Sequence, residues 1–332
     1  MPEVAAPVAA LLGAVQRERV LTVTLNPALD LSTGVDRVRP RAKLRCDAPR
    51  LEPGGGGINV SRAMRILGGE STAFVALGGP TGARLLEGLR EEGIEPHVWA
   101  CEGDTRLSIH VDDRAASEQY RFVLPGPSQS AAAGAALLDE VVACALGGGF
   151  SIVVASGSML PGLPVAWFAT LAARMRDAGI RLIVDTSGPA LAACFAGRPW
   201  LVKPDSAEWR ELVGAHGPAA LPDGAGMPEA IADWLLGDGL VDVVILTLGA
   251  DGALLAHDGH RLRIRPPEVV VRSAVGAGDS FIGALVLGLA RGWPLDEATR
   301  FGVVAAASAV TTEASELCRR EQVEAFFAAA PR

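Results

Sequence analysis

Short β-branched runs and helical patterns take turns along most of this chain, and that alternation narrows the fold more than any other feature. The runs are 20–27 (VLTVTLNP), 71–79 (STAFVALGG), 151–158 (SIVVASGS), 181–188 (RLIVDTSG), 200–205 (WLVKPD) and 241–249 (VDVVILTLG). Between them, apolar residues recur at helical spacing over 59–67, 81–93, 164–179, 206–214 and 228–237. Repeated strand–helix units build an α/β domain whose central sheet is mostly parallel, and ligands of such sheets sit at the carboxyl ends of the strands. Unusual residues gather at those ends: Asn26-Pro27, Ser156-Gly157-Ser158, Asp185, Lys203 to Asp205, and Gly249. Two segments, about 31–50 and 106–124, carry strand patterns without an intervening helix. They predict a small separate β-sheet projecting from the main domain as a lid, a dimer surface or both.

At 332 residues, the chain is long enough for one large domain over 20–332 with that appendage, preceded by an extension over 1–19. The start has a short apolar stretch but no basic leader, which predicts a loose extension or a first helix rather than a signal peptide. No apolar run reaches membrane-spanning length. The net charge of −8 and the lack of a basic stripe argue against nucleic acid as partner. Five widely spaced cysteines, Cys46, Cys101, Cys144, Cys194 and Cys318, include no C-x-x-C pair, so a reducing cytoplasm is expected and a zinc framework is not. Of 30 basic residues only Lys43 and Lys203 are lysine. Against such an arginine bias, each surviving lysine is a candidate for a site that needs a compact ammonium.

Two glycine loops each open a helix. In SAVGAGDSFIGALVLGLARG (273–292) the apolar spacing from Phe281 starts a helix near Asp279, fed by the turn Gly276-Ala277-Gly278. Free backbone N–H groups and the positive end of the helix dipole make that turn a place for an anion, although Asp279 alone could be a helix cap. The other loop, EPGGGGINVSRAMRILGG (52–69), lacks the spacing and the acidic partner of a dinucleotide-binding fingerprint. Two amide-rich helix starts in one sheet can instead hold two polar ligands face to face.

From about residue 20 onward the chain resembles the ribokinase-like (PfkB) sugar kinases, whose two signature regions match GGGGIN and VGAGDS. The blocks KLRC (43–46), EPGGGGINV (52–60), EQYRFVLPG (118–126), SGS (156–158) and VKP (202–204) extend the resemblance to members that act on a phosphorylated hexose. The resemblance implies a three-layer α/β/α domain with a β-sheet lid. It also implies transfer of phosphate from ATP, with Mg²⁺, to the 1-hydroxyl of fructose 6-phosphate. Asp279 would be the catalytic base and Gly276, Ala277 and Gly278 the anion hole for the transferred phosphoryl group, an arrangement that supplies alignment and charge stabilisation. Asp30, Gly55, Gly56 and Asn59 would hold the sugar, while Lys43, Arg45, Arg106, Arg121 and Ser158 would hold its phosphate. Lys203, Asp205, Thr247, Gly249 and Gly252 would receive the nucleotide, and Glu208 would organise magnesium through water. The resemblance further implies a homodimer through the lids, with Arg121 reaching the neighbouring site.

The chain departs from the family pattern in two places. Asp205 replaces the usual Asn of VKPNxxE, adding a possible metal carboxylate, and Ala207 stands where close relatives have a lysine near the ATP phosphates. In TTEASELC (311–318), Thr312, Ala314 and Glu316 replace an Asn-x-Gly segment that helps line the adenine pocket and a monovalent-cation site. Use of K⁺ and the preference for ATP therefore stay open. So do kinases that take fructose 1-phosphate or tagatose 6-phosphate, and a degenerate sensor that binds without transfer; the intact Asp279 and its turn speak against the last.

Overall fold

A computed structural model describes residues 8–217, 226–313 and 316–330. In chain order it begins α1 (Val8–Leu12), β1 (Val20–Thr24), β2 (Ala28–Val35), β3 (Arg50–Gly54), α2 (Gly56–Ile66), β4 (Thr72–Leu77), α3 (Gly79–Glu91) and β5 (His97–Ala100). Next come β6 (Arg106–Asp113), β7 (Glu118–Val123), α4 (Ala131–Gly147), β8 (Ile152–Ser156), α5 (Trp167–Asp177), β9 (Arg181–Asp185), α6 (Gly188–Cys194), β10 (Leu201–Val202) and α7 (Ser206–His216). The chain closes with α8 (Met227–Gly237), β11 (Val243–Thr247), β12 (Ala253–His257), β13 (His260–Ile264), α9 (Ala277–Ala290), α10 (Leu295–Ala309) and α11 (Arg320–Ala329).

Nine strands form the central sheet in the order β13-β12-β11-β10-β9-β8-β1-β4-β5, parallel except for the hairpin β12–β13 at one edge and its pairing with β11. Strands β1, β8 and β11 are nearly fully buried along their length, as expected where helices cover both faces of a sheet. On one face, Leu137 of α4, Trp167 and Leu171 of α5, and Ile231 of α8 join the core; on the other, Val60 and Met64 of α2, Leu285 of α9, Phe301 of α10 and Phe327 of α11 do so. The expected three-layer α/β/α architecture is present. Of the N-terminal stretch set apart by the sequence, α1 lays Leu11 into this second core, and the backbone N–H of Arg17 bonds to the carbonyl of Ala290 at 2.8 Å.

The predicted lid is a four-stranded sheet, β3-β2-β6-β7, in which β2 and β6 run parallel. Its bounds differ from the sequence reading: β2 begins at Ala28, directly after Asn26-Pro27, and 36–49 is loop rather than strand. The period-2 alternation sorts the sheet faces. Asp30 pairs with Glu52 and Ser108, and His110 with Arg121, so a polar face forms, while Leu31, Leu51, Ile109, Tyr120 and Phe122 share the other.

Candidate active site

The site grows from two helix starts. Gly276 caps α9 with φ 74°, a left-handed conformation that costs an L-residue with a Cβ energy, and the chain turns there directly into the first helical residue, Ala277. The helix thus begins two residues before Asp279, which leaves the aspartate inside the first turn rather than at the cap. Gly55 caps α2 with φ 119°. A Cβ on Gly56 would stand 2.3 Å from Ser156 Oγ, so only glycine lets this helix start lie against the end of β8. Asn59, one turn into α2, donates its Nδ2 to Asp279 Oδ2 at 2.9 Å. This one bond brings the two glycine loops together, as their polar character requires.

Beneath the turn lies a buried charge cluster. Lys203, 5% exposed, pairs with Asp185 at 3.1 Å. A Cβ on Gly278 would come 3.5 Å from its Nζ. Burial alone would push this ammonium's pKa down, but the carboxylates of Asp185, Glu208 and Asp279 outweigh burial and hold it above its ordinary value. Lys203 is therefore held as a cation beneath the α9 helix start. Asp279 shows the opposite balance: desolvation, then the nearby Asp185, push it up to about 6 against the Asn59 hydrogen bond and the Lys203 charge. A carboxylate poised there is ionised at neutral pH yet basic enough to take a proton.

The lid's polar face carries residues expected to hold the sugar. Asp30 is pushed up to about 6 by burial, with Arg106, Arg62 and Arg121 pulling the other way. Its carboxylate fills the space above Gly54, where a Cβ would sit 2.2 Å from Oδ2. Arg106 Nε donates to the carbonyl of Asn26 at 3.2 Å, and Asn26 Nδ2 donates to Ser158 Oγ at 3.1 Å, so Asn26 ties together two of the expected phosphate-binding residues. Arg121 stands on the same face of its own chain, opposite His110, and is exposed. Lys43 and Arg45 lie exposed in the 36–49 loop and make no hydrogen bond or ion pair among the described residues.

Asp205, expected at the nucleotide end, has a local role. Its Oδ1 accepts from the N–H groups of Ala207 and Glu208 at 2.8 and 3.0 Å, while Glu208 Oε2 accepts from the Asp205 N–H at 2.8 Å. The pair is a capping box for α7, a position where Asp and Asn serve equally well, which accounts for the departure at 205. Glu208 is pushed up to about 7, mainly by burial and then by Asp185 and Asp205, against the backbone hydrogen bond. Glu208 Oε1 and Asp205 Oδ2 keep no hydrogen-bond partner among the described residues and are oxygens of the kind Mg²⁺ takes, whereas both Asp185 oxygens are engaged, by Lys203 at 3.1 Å and by Ser156 Oγ at 3.2 Å. Thr247 closes β11 and its carbonyl accepts from Ser206 Oγ at 3.2 Å; Gly249 and Gly252 follow at φ 62° and 88°. In the 311–318 segment, Thr312 Oγ1 lies 2.7 Å from the Ala309 carbonyl and 2.9 Å from that of Glu316, and Leu317 packs against Gly276. Glu316 pairs with Arg50 of the lid and with Arg319. Ala314 lies outside the described residues.

Asp185, Asn26, Arg62 and Gly54 were given no role by the sequence. Asp185 and Asn26 had a usable signal, since both stand at carboxyl ends of parallel strands. Arg62 and Gly54 had none beyond belonging to a signature loop.

A mostly parallel sheet with an anion-binding helix start, a buried lysine beneath it and a carboxylate facing a polar lid defines a phosphotransferase. The chain belongs to the pfkB family of carbohydrate kinases, whose model matches residues 23–322, and it transfers phosphate to a sugar hydroxyl. It is 42% identical over 315 residues to the ATP-dependent 6-phosphofructokinase isozyme 2 of Mycobacterium tuberculosis, covering 94% of this chain and 89% of that one. It is 34% identical over 312 residues to a 1-phosphofructokinase of Xanthomonas campestris, 92% of each chain being covered. Crystal structures of Escherichia coli phosphofructokinase-2 superpose on 94–95% of the chain: the complex with potassium at TM-score 0.86 with 37% identity, and the complex with fructose-6-phosphate at TM-score 0.85 with 36% identity, covering 98% and 100% of those chains. No helix among the described residues is long and apolar enough to cross a membrane.

Proposed function

We propose that the enzyme phosphorylates fructose 6-phosphate at its 1-hydroxyl, with ATP as donor, to give fructose 1,6-bisphosphate and ADP. The observation that carries the reading is the Asn59–Asp279 contact, which puts a carboxylate with pKa about 6 between the sugar loop and the phosphoryl-binding helix start. Asp30 and Asn59 orient the sugar, and Arg106, Ser158 and Arg121 take its 6-phosphate. Asp279 accepts the 1-hydroxyl proton as the O1–Pγ bond forms; the bond from Pγ to the β-phosphate oxygen breaks and its electron pair leaves with ADP. The N–H groups of Gly276, Ala277 and Gly278, the α9 dipole and Lys203 stabilise the charge on the moving phosphoryl group. Glu208, with the free oxygen of Asp205, would hold Mg²⁺ through water, and the ion when bound neutralises nucleotide phosphate charge.

Steady-state kinetics with fructose 6-phosphate, fructose 1-phosphate, tagatose 6-phosphate and fructose test this reading. Loss of a charged hydrogen bond to phosphate costs about 1.5–3 kcal/mol, so fructose should trail fructose 6-phosphate at least tenfold in kcat/KM. A preference for fructose 1-phosphate would favour the second reading, which the 1-phosphofructokinase relatives support. Intact Asp279 and its turn argue for turnover rather than sensing alone.

The lid supports a homodimer, and five cysteines without a C-x-x-C pair fit a reducing cytoplasm. The lid's apolar face leaves Leu51, Tyr120, Phe122 and Leu124 exposed in the single chain, a set that a second lid would cover by an isologous contact. Arg121 faces its own chain's Asp30 and also lies on the edge strand β7, from which it would reach a partner's phosphosugar.

A further inference from the structure

At the far end of the sheet from the kinase site, the β12–β13 hairpin turns through Asp258 and Gly259, both with positive φ, 41° and 73°. Such a two-residue turn with both central residues left-handed fixes the register of its flanking pair. That pair is His257 and His260, directly opposite each other, with ring centroids 5.2 Å apart. Helix α10 lies over this face of the hairpin, and its first-turn Asp296 brings Oδ2 to 3.2 Å from His260 Nε2. One donor atom from each of His257, His260 and Asp296 lies within 4.8 Å of the others. Donors around a tetrahedral zinc ion at bonds of roughly 2.0–2.1 Å stand about 3.3 Å apart, so the His260–Asp296 spacing of 3.2 Å already matches, and the His257 donor lies within 4.8 Å of both.

We propose that His257, His260 and Asp296 form a binding site for a borderline divalent transition metal, Zn²⁺ first among them, separate from the phosphotransfer site. Two imidazoles and one carboxylate suit Zn²⁺ and exclude the hard cations that prefer all-oxygen sites. Each donor stands on backbone held by its own hydrogen bonds, a tight hairpin for the histidines and a 15-residue helix for the aspartate, so little ordering is required on binding. His257 and Leu295, the neighbour of Asp296, also line a cavity of about 820 Å³ with Trp200, Asp242 and Arg261, which gives the remaining coordination positions room for water or an anionic ligand. The site lies past the carboxyl end of the antiparallel β12, beside the amino ends of β10 and β11, whereas the kinase residues lie at the opposite ends of those strands. Kinase turnover should therefore not depend on it.

The test is titration of the chelator-treated full chain with Zn²⁺ by calorimetry and with Co²⁺ by visible absorption, in the presence of excess Mg²⁺, on a Cys46→Ala background that removes the exposed thiol. One equivalent of Zn²⁺ and the strong d–d bands of four- or five-coordinate Co²⁺ are expected. His257→Ala, His260→Ala and Asp296→Asn should each weaken that equivalent at least ~tenfold, while His97→Ala, at a histidine paired elsewhere with Glu140, should leave it unchanged. His260→Ala should keep kinase activity, which shows that the variant is folded. Absence of the equivalent, or its persistence unchanged in the His260→Ala variant, overturns the assignment and leaves His260–Asp296 a surface ion pair.

Discussion

Asp279→Asn separates the two roles that the first turn of α9 could give this residue, because it should impair turnover and stabilise the fold at once. Asparagine keeps an oxygen for the Asn59 Nδ2 donor, so the geometry at 2.9 Å survives while the proton acceptor is lost. General base assistance contributes about 10²–10⁴ in rate, and kcat should fall by that factor with both KM values little changed. Folding stability should change in the opposite sense. The folded chain holds this carboxyl at about 6 against an ordinary 3.8, so between those pH values the folded state binds more protons than the unfolded one. Stability therefore falls as pH rises through that window, and above it the ionised carboxylate carries the whole penalty. About two pKa units at 1.36 kcal/mol each, reduced for the part of the residue that water still reaches, come to about 1–3 kcal/mol. Thermal unfolding of the ligand-free protein at pH 8 should show the Asn variant a few degrees more stable, and the advantage should vanish near pH 4. The kcat/KM of the native enzyme should correspondingly drop as pH falls through 6. Near-native kcat in the variant would reduce Asp279 to a structural residue, and a variant less stable at pH 8 would refute the electrostatic reading.

Gly54→Ala should raise KM for the sugar several-fold while sparing that for ATP, since a Cβ there stands 2.2 Å from Asp30 Oδ2 and must displace the carboxylate; equal KM values would show that Asp30 does not hold substrate. Lys203→Met should cost about 3–5 kcal/mol by leaving Asp185 buried without its cation, read as a large fall in melting temperature, and Lys203→Arg should restore much of the stability but little of the turnover. Wild-type kinetics in Lys203→Arg would return the lysine's survival to chance. Mixing an Asp279→Asn protein with an Arg121→Ala protein under subunit exchange should regain activity if Arg121 serves the neighbouring site; no gain despite measured exchange would assign it to the Asp30 beside it on its own chain. A monomer at working concentration would defeat the dimer itself.

Strands β1, β4, β8, β9, β10 and β11 were visible as β-branched runs, and α2, α3, α5, α7, α8 and α9 as helical patterns. The dipeptide Asp258-Gly259 is a two-residue hairpin signal, and both residues adopt positive φ in the β12–β13 turn. Helix α10 carries no glycine-loop start like that of α9, and residues on all sides of it are buried, so amphipathic spacing alone does not mark it. The short edge strand β5 alternates half-buried and exposed residues, too brief a pattern to stand out. Asp205 was read as a surplus carboxylate at the metal corner, and the structure also gives it the capping of α7, a local hydrogen-bond choice open to Asp and Asn alike.

What the sequence determined by itself was everything set by short-range chemistry: the strand–helix alternation, the positive-φ glycine turns, and the two helix starts with free N–H groups. Those features follow from periodicity and backbone sterics within a few residues of each other. Only the tertiary structure decided that Asn59 meets Asp279 across 220 positions of chain, that Lys203 stands buried between Asp185 and Gly278, and that Asp30 shares a face with Arg106 and Arg121. Sheet order and strand register place those side chains, and the resulting burial shifts their proton affinities. Desolvation depends on what packs around a group from distant parts of the chain, so no local pattern in the sequence could have carried it.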